Sequence, residues 1–281
     1  SSQAFYAMAL IKELNKLNIK TIIGGPAVNS KLKLVATKFL NNEVELLQEL
    51  IQTDIDHDKL ICNKIIDFNH CKNSSNINSD FKNDQYFIPE SVIPIKTSSS
   101  CFYQLCAFCS HHGNVKYAEY DLNDIKQTII SSKAKHFFFI DDMISKKRLL
   151  EIANTVKDLN INWMCQLRPT INLTKDTLQL LYDSGLKLVI WGVESGNDRI
   201  LKIIRKGTNV SDLKVVLKDS SQVGIKNVLY IMFGFPTETE EEFMDTIHLL
   251  EDQKEVISLI STSVFGMQKG TPIYNDPQKY N

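Results

Sequence analysis

The sequence has little of what would tie it to a membrane, to nucleic acid or to secretion. Its apolar runs, such as Phe137-Phe-Phe-Ile140, fall far short of the roughly 20 residues that a membrane-spanning helix needs. Neither sign of charge is in excess: Lys and Arg total 32 against 33 Asp and Glu, a net charge of −1. No global field therefore directs the chain to nucleic acid or to an anionic bilayer. Lys12, Glu13 and Lys16 interrupt the N-terminal apolar pattern, which argues against a signal peptide there. The six cysteines, three of them clustered, do not form the dense framework of a disulfide-stapled secreted domain, so a reducing cytoplasm is the expected compartment. With 281 residues the chain can bury a substantial core, as one large domain or one and a half. It begins at Ser1 in mid-pattern, as a piece of a longer protein would.

What is present concentrates in Cys101-Phe-Tyr-Gln-Leu-Cys106-Ala-Phe-Cys109. The run Ser91-Val-Ile-Pro-Ile-Lys-Thr97 just before it reads as a buried strand, which puts three thiols on the loop leaving that strand's C-terminal end. Three thiolates on one loop can hold a soft metal and leave one coordination position open. Ferredoxins of the plant type share the C-x4-C-x2-C opening but add a fourth cysteine. The only later cysteine, Cys165, sits inside Asn162-Trp-Met-Cys-Gln-Leu-Arg168, where a strand with a buried thiol is the plain reading. His111 or His112 as a fourth, zinc-type ligand is the other alternative.

Upstream, residues 2–17 repeat apolar positions at three and four, predicting an amphipathic helix. Ile19-Lys-Thr-Ile-Ile23 follows as a short strand ending at Gly24-Gly-Pro26, and residues 42–51 read as a further helix. From Asp54 to about Phe87 polar residues dominate, as in Asn73-Ser-Ser-Asn-Ile-Asn-Ser79, which predicts a linker. His57, Cys62, His70 and Cys71 lie in it, at spacings that match no compact pair of zinc-ligand pairs.

After residue 90 strands and helices alternate. Strands are predicted over 92–97, 136–140, 161–166, 187–191, 226–232 and 257–264, with helices over 122–133, 146–159, 174–184, 210–223 and 238–251. Thr174 and Thr237 stand where N-caps belong, and Gly185 and Gly224 where C′ glycines belong. Six β/α units predict an α/β fold, a partial (β/α)6 barrel whose active site lies at the C-terminal ends of the strands. A doubly wound sheet is the alternative and places the site on the same face.

The segment Ile93-Pro-Ile-Lys-Thr-Ser-Ser-Ser-Cys101 through Cys109-Ser-His-His112 resembles the radical S-adenosylmethionine superfamily. It is most similar to the subgroup with an N-terminal cobalamin-binding domain, associated with peptide maturation and methyl transfer, where four residues often separate the first two cysteines. Later landmarks agree in order: Phe138-Phe-Ile-Asp-Asp142, Gln166-Leu-Arg168, Trp191-Gly-Val-Glu-Ser-Gly196, Lys206-Gly207 and Phe233-Gly-Phe-Pro-Thr-Glu-Thr239. The resemblance covers about 90–281 well and extends weakly over residues 2–50. It implies three regions. Residues 1–52 are the C-terminal part of a Rossmann-like, cobalamin-binding-type α/β domain, 53–90 are a linker, and 91–281 are the partial barrel.

The resemblance also implies that Cys101, Cys106 and Cys109 hold a 4Fe-4S cluster whose fourth iron takes the amino and carboxylate groups of S-adenosylmethionine. Phe108 is where the family places a ring against adenine, or else it packs under the loop. Asp142, beside Asp141, ends the second strand where relatives hold an ammonium group; both also suit a turn. Arg168 suits the carboxylate, or a structural ion pair ahead of Pro169. Glu194 and Ser195 suit a ribose or amino-acid contact. Gly234 and Pro236 let backbone approach adenine, or form a tight strand-to-helix turn. The chain departs from its relatives in having Ser99-Ser100 for their Arg-Gly before the first cysteine, and Phe102-Tyr103-Gln104 for Tyr-Trp-Gly after it.

The function expected is reductive cleavage of S-adenosylmethionine and modification of an unactivated carbon, including cobalamin-dependent methylation, on a peptide or small metabolite. An external electron donor such as a flavodoxin or ferredoxin is the expected partner, with no nucleic acid and no membrane. The rival reading is a non-catalytic iron–sulfur or zinc module whose metal is closed off by a fourth protein ligand.

Overall fold

The computed structural model describes residues 2–24, 30–40, 45–46, 49, 90–110 and 117–280. The chain divides into two compact units, 1–62 and 63–281. In the first, helix α1 (Ser2–Lys16), strand β1 (Ile22–Ile23), helix α2 (Ser30–Val35) and strand β2 (Lys38–Phe39) follow one another. Strands β1 and β2 are parallel, with Ile22 opposite Lys38. The backbone N–H groups of Thr21 and Thr37 each donate to the other's hydroxyl, at 3.0 and 3.3 Å, which closes the unit where its two strands begin. Ile11, Leu32 and Leu40 are buried. The helix predicted over 42–51 lies mostly outside the described residues, as do the linker to residue 89 and with it His57, Cys62, His70 and Cys71.

The second unit opens with β3 (Val92–Ile95), β4 (Ser98–Ser99), β5 (Ala118–Glu119), α3 (Leu122–Ser132), β6 (His136–Phe139) and α4 (Lys146–Val156). It continues with β7 (Asn162–Leu167), α5 (Lys175–Asp183), β8 (Leu186–Glu194), α6 (Asp198–Ile203) and α7 (Val210–Gln222). It closes with β9 (Lys226–Phe233), α8 (Glu240–Asp252), β10 (Leu259–Val264) and α9 (Pro272–Asn275). Six strands form one parallel sheet in the order β3-β6-β7-β8-β9-β10, each beside its predecessor in the chain. That is the predicted α/β architecture, a partial barrel of consecutive β/α units.

The strands alternate faces with period two. Phe139, Trp163, Cys165, Leu167, Val189, Trp191, Val193, Leu229 and Ile231 point outward into one core with the helices. Each fully buried aliphatic or aromatic side chain there is worth about 1.5–3 kcal/mol of transfer free energy. Phe139 and Trp163 stack with centroids 5.1 Å apart. Near the start of β9, beside this apolar layer, lies Asn227, fully buried and fully bonded. Its Oδ1 accepts from Trp191 Nε1 and Ser220 Oγ, both at 2.8 Å, and its Nδ2 donates to the carbonyls of Leu217 and Val256 at 2.9 and 2.8 Å. The opposite face of the sheet is open and carries the site.

The punctuation is mostly as predicted. Thr174 caps α5 by accepting from Thr177 N–H, and Gly185 follows that helix at φ 107°. A Cβ at Gly185 would lie 2.1 Å from the Ile161 carbonyl oxygen, so only glycine fits. Thr237 is a correction: it does not cap α8. Thr239 does, in a capping box with Glu242, and the helix starts at Glu240 rather than 238. Thr237 instead takes a left-handed conformation, φ 72°, and its carbonyl accepts from Arg199 at 2.6 Å. The first barrel strand stops at Ile95 rather than 97, because side chains claim the backbone of Thr97.

Candidate active site

The cysteine loop is held at its entrance by two buried side chains of opposite charge. Asp141, fully buried, accepts from Thr97 N–H at 3.0 Å and from Ser98 Oγ at 2.6 Å. Burial pushes its carboxyl above the ordinary value, against the hydrogen bonds from Ser98 and Thr97 that favour the charged form. Arg148, only 4% exposed, donates to Thr97 O at 3.2 Å and to Tyr120 O. Both backbone groups of Thr97 are thus bonded to side chains, and the chain turns into the short antiparallel pair β4–β5, Ser98 facing Glu119. Asp141 therefore shapes the loop, while its neighbour Asp142 lines the cavity.

Within the loop, Ser100 and Gln104 adopt left-handed backbone, φ 58° and 47°. These are the two positions at which the resembling pattern has glycine, and here Gln104 Nε2 donates to Ser100 Oγ at 3.1 Å. A left-handed non-glycine residue costs roughly 1–2 kcal/mol, and this bond offsets part of it. Further on, Ala107 N–H donates to Ile204 O at 2.9 Å and Ala107 O accepts from Ile273 N–H at 3.0 Å. The Tyr103 hydroxyl donates to Arg205 O at 2.9 Å, and the Arg168 guanidinium stacks 3.7 Å over the Tyr103 ring while donating to Lys206 O at 2.8 Å.

At the C-terminal ends of the strands lies a cavity of about 210 Å³ that brings Cys101, Cys106 and Cys109 together with Phe108, Asp142, Arg168 and Glu194. Gln166, Ile190, Gly192 and Tyr230 form the strand-borne part of its wall. Lys206 enters it as well, with Nζ 2.7 Å from Glu194 Oε1 and both side chains nearly buried, 11% and 12% exposed. The ammonium also lies 5.6 Å from the Phe108 ring centroid. A Cβ at residue 192 would meet Lys206 Nζ at 2.7 Å, so the glycine there makes the room. Burial pulls the Lys206 pKa down, but the Glu194 carboxylate and Cys106 together outweigh it and the net shift is upward. Burial raises the Cys106 thiol, and Lys206 opposes that rise.

The donor set fits an iron–sulfur cluster. The three thiols line one cavity. Ligands to a cubane bind three different irons and stand further apart than ligands to one zinc. Cys165 is not available as a fourth ligand. It is fully buried on the outward face, in register with Phe139 and Val189. His111 and His112 lie outside the described residues.

Three of the residues named from the sequence are not brought to the cavity. Ser195 is fully buried away from it; its Oγ accepts from Asn197 N–H at 3.1 Å and lies 3.4 Å from Thr246 Oγ1. Gly234 donates its N–H to Glu238, and Pro236 follows it in the turn before α8. Conversely, sequence reasoning had no role for Lys206, Tyr103 or Tyr230. Lys206 had been visible only as part of a landmark dipeptide. Tyr230 had a fainter signal, a hydroxyl within the apolar run Val228-Leu-Tyr-Ile-Met-Phe233.

Comparison with known proteins identifies the class. The model of the radical SAM superfamily matches residues 95–250, more than half of the chain, and the chain belongs to that superfamily. Among curated proteins it is similar to the bacteriochlorophyllide d C-12(1)-methyltransferase of Chlorobaculum tepidum, 26% identical over 196 residues, which is 66% of this chain and 42% of that one. Among solved structures it superposes on the cobalamin-dependent S-adenosylmethionine radical enzyme OxsB with aqua-cobalamin and S-adenosylmethionine bound. That match has a TM-score of 0.69 at 15% identity and covers 99% of this chain and 50% of that one. The radical S-adenosylmethionine methyltransferase TsrM from Kitasatospora setae, with cobalamin and a [4Fe-4S] cluster bound, gives a TM-score of 0.58 at 18% identity, over 68% and 37% of the two chains. The chain spans less than half the length of the curated relatives it matches. No helix among its described residues is long and apolar enough to cross a membrane.

Proposed function

We propose that this chain carries the catalytic barrel of an enzyme that cleaves S-adenosylmethionine reductively and uses the result to modify an unactivated carbon. The observation that carries this reading is the convergence of Cys101, Cys106 and Cys109 with Asp142, Arg168, Glu194 and Lys206 around one cavity at the C-terminal strand ends. Cys101, Cys106 and Cys109 would hold a 4Fe-4S cluster, which would supply the electron for splitting the sulfonium into methionine and a 5′-deoxyadenosyl radical. The chain's own residues bind and enclose. Asp142 and Glu194 accept from the ammonium and hydroxyl groups of the nucleoside amino acid, Arg168 donates to its carboxylate, and the Phe108 ring packs against adenine. Ser195, Gly234 and Pro236 act from behind, by shaping the turns that frame these groups. Met143, Ile190 and Tyr230 supply the water-excluding wall that a carbon radical needs.

We further assign the product step to methyl transfer through cobalamin, on a peptide or small metabolite. Support comes from the methyltransferase relative and from the match to OxsB, which covers 99% of this chain. On this reading residues 1–52 belong to a cobalamin-binding-type domain, 53–90 are the linker and 91–281 the barrel. A flavodoxin or ferredoxin delivers the electron, in a reducing cytoplasm.

The test is anaerobic reconstitution. Wild-type protein is expected to take up about four irons and to release 5′-deoxyadenosine from S-adenosylmethionine on reduction with dithionite. Cys106→Ala is expected to abolish both. Stable zinc with no iron absorbance after the same treatment would sink the assignment.

A further inference from the structure

The Lys206–Glu194 pair is nearly buried, with Nζ 2.7 Å from Oε1. Buried ion pairs are weak contributors to stability, because desolvation cancels most of their attraction, and well-packed apolar replacements are often as stable or better. Gly192, in the interior of β8, leaves the ammonium its place, since a Cβ there would come within 2.7 Å of Lys206 Nζ and displace it. Glycine inside a strand is itself destabilising. Two unfavourable features are retained together beside the cysteine loop, so their benefit lies elsewhere than in stability.

Their placement indicates what it is. Lys206 reaches the cavity from the turn after α6, and its side chain lies near Phe108, between the ligands Cys106 and Cys109 in the chain. The Lys206 ammonium lies 5.6 Å from the Phe108 ring centroid on the cavity that the three cysteines line, with the Glu194 carboxylate 2.7 Å from it. The pair therefore presents its positive end to the loop. We propose that Lys206, balanced by Glu194, is a potential-setting residue: its buried ammonium stabilises the extra electron on the cluster held by Cys101, Cys106 and Cys109, and Glu194 limits that effect. The step is a one-electron reduction by an external low-potential donor, and no bond forms or breaks. The proposal rests on the cluster assignment made above. Charge near the cluster, hydrogen bonding and burial are the protein's means of setting such a potential.

The experiment is an electron-paramagnetic-resonance redox titration of reconstituted protein without S-adenosylmethionine, comparing wild type with three variants. Lys206→Gln keeps a donor to Glu194 but removes the charge, and should shift the midpoint to more negative values. Glu194→Gln keeps an acceptor for Lys206 but frees its charge, and should shift the midpoint to more positive values. Lys206→Arg should stay near wild type. A unit charge at an effective dielectric of about 20 changes the reduction equilibrium by about ten-fold or more, which is about 59 mV for a one-electron couple. Shifts of opposite sign support the proposal; shifts of the same sign, or none, overturn it, because a merely structural role has no reason to reverse sign. If Lys206→Gln does not hold a cluster, Glu194→Gln decides alone, a positive shift supporting and any other result overturning. Wild-type protein that takes up no iron fails at the earlier step, and overturns the cluster assignment together with this proposal.

Discussion

The two faces of the barrel sheet are built from the same strands and obey opposite rules. On β9, Asn227 points outward and is fully buried, while Tyr230, three positions on, points into the cavity and is 39% exposed. On the outward face the buried Asn227 amide uses every hydrogen bond it can make. The inward face gathers Gln166, Arg168 and Glu194 at successive strand ends and leaves space between them. The difference teaches how such a fold divides its labour. A polar atom sealed among apolar side chains must be satisfied by protein, whereas groups facing a cavity are kept for a ligand.

The contrast is most exposed to attack at Asn227. Asn227→Ala would strand the Trp191 indole N–H, the Ser220 hydroxyl and two carbonyls, and should cost on the order of 3–5 kcal/mol, read as a drop in the urea midpoint. A loss below about 1 kcal/mol would mean that the outward face tolerates unpaired polar groups after all. A middle-sized effect is expected at the loop that caps the cavity. Ser100→Ala removes the acceptor for Gln104 and keeps a methyl in left-handed backbone, whereas Ser100→Gly relieves that backbone. The alanine variant should be less stable than the glycine variant by about 1 kcal/mol, with thermal midpoints in that order. The smallest change belongs to the cavity wall. Tyr230→Phe removes a hydroxyl on the ligand side and should alter stability by less than about 0.5 kcal/mol. A larger loss in the same denaturation experiment would show that this hydroxyl is held by the protein rather than kept for a ligand.

Much of this was legible beforehand, for reasons that lie in local chemistry. Period-two and period-3.6 patterns announce strands and helices wherever one face is buried, and the barrel strands fall close to their predicted spans. The three cysteines are close in sequence, so a single loop suffices to bring them together. Thr174 and Gly185 act within a turn of their own position. Where local chemistry offers two answers, contacts from elsewhere in the fold make the choice. Thr237 and Thr239 both suit an N-cap, and the choice fell to Thr239 because Glu242 completes the capping box and Arg199 engages the Thr237 carbonyl. Ser195 suits a ligand contact by type, but the strand turns it toward Thr246. Asp141 and Asp142 are alike on paper and opposite in place, one bonded to Thr97 and Ser98 and the other on the cavity.

By itself, then, the sequence determined the superfamily, the order of the β/α units, the metal-ligand loop and the face on which it must lie, since each depends on residues near one another in the chain. Only the tertiary structure decided which charged groups share the cavity. Lys206 meets Glu194 twelve residues away, Arg168 meets Tyr103 and Lys206 across the barrel, and Arg148 and Asp141 reach back to Thr97. Those contacts depend on how the strands align and on which side of the sheet each residue falls, and a one-residue shift in register would turn Glu194 to the other face.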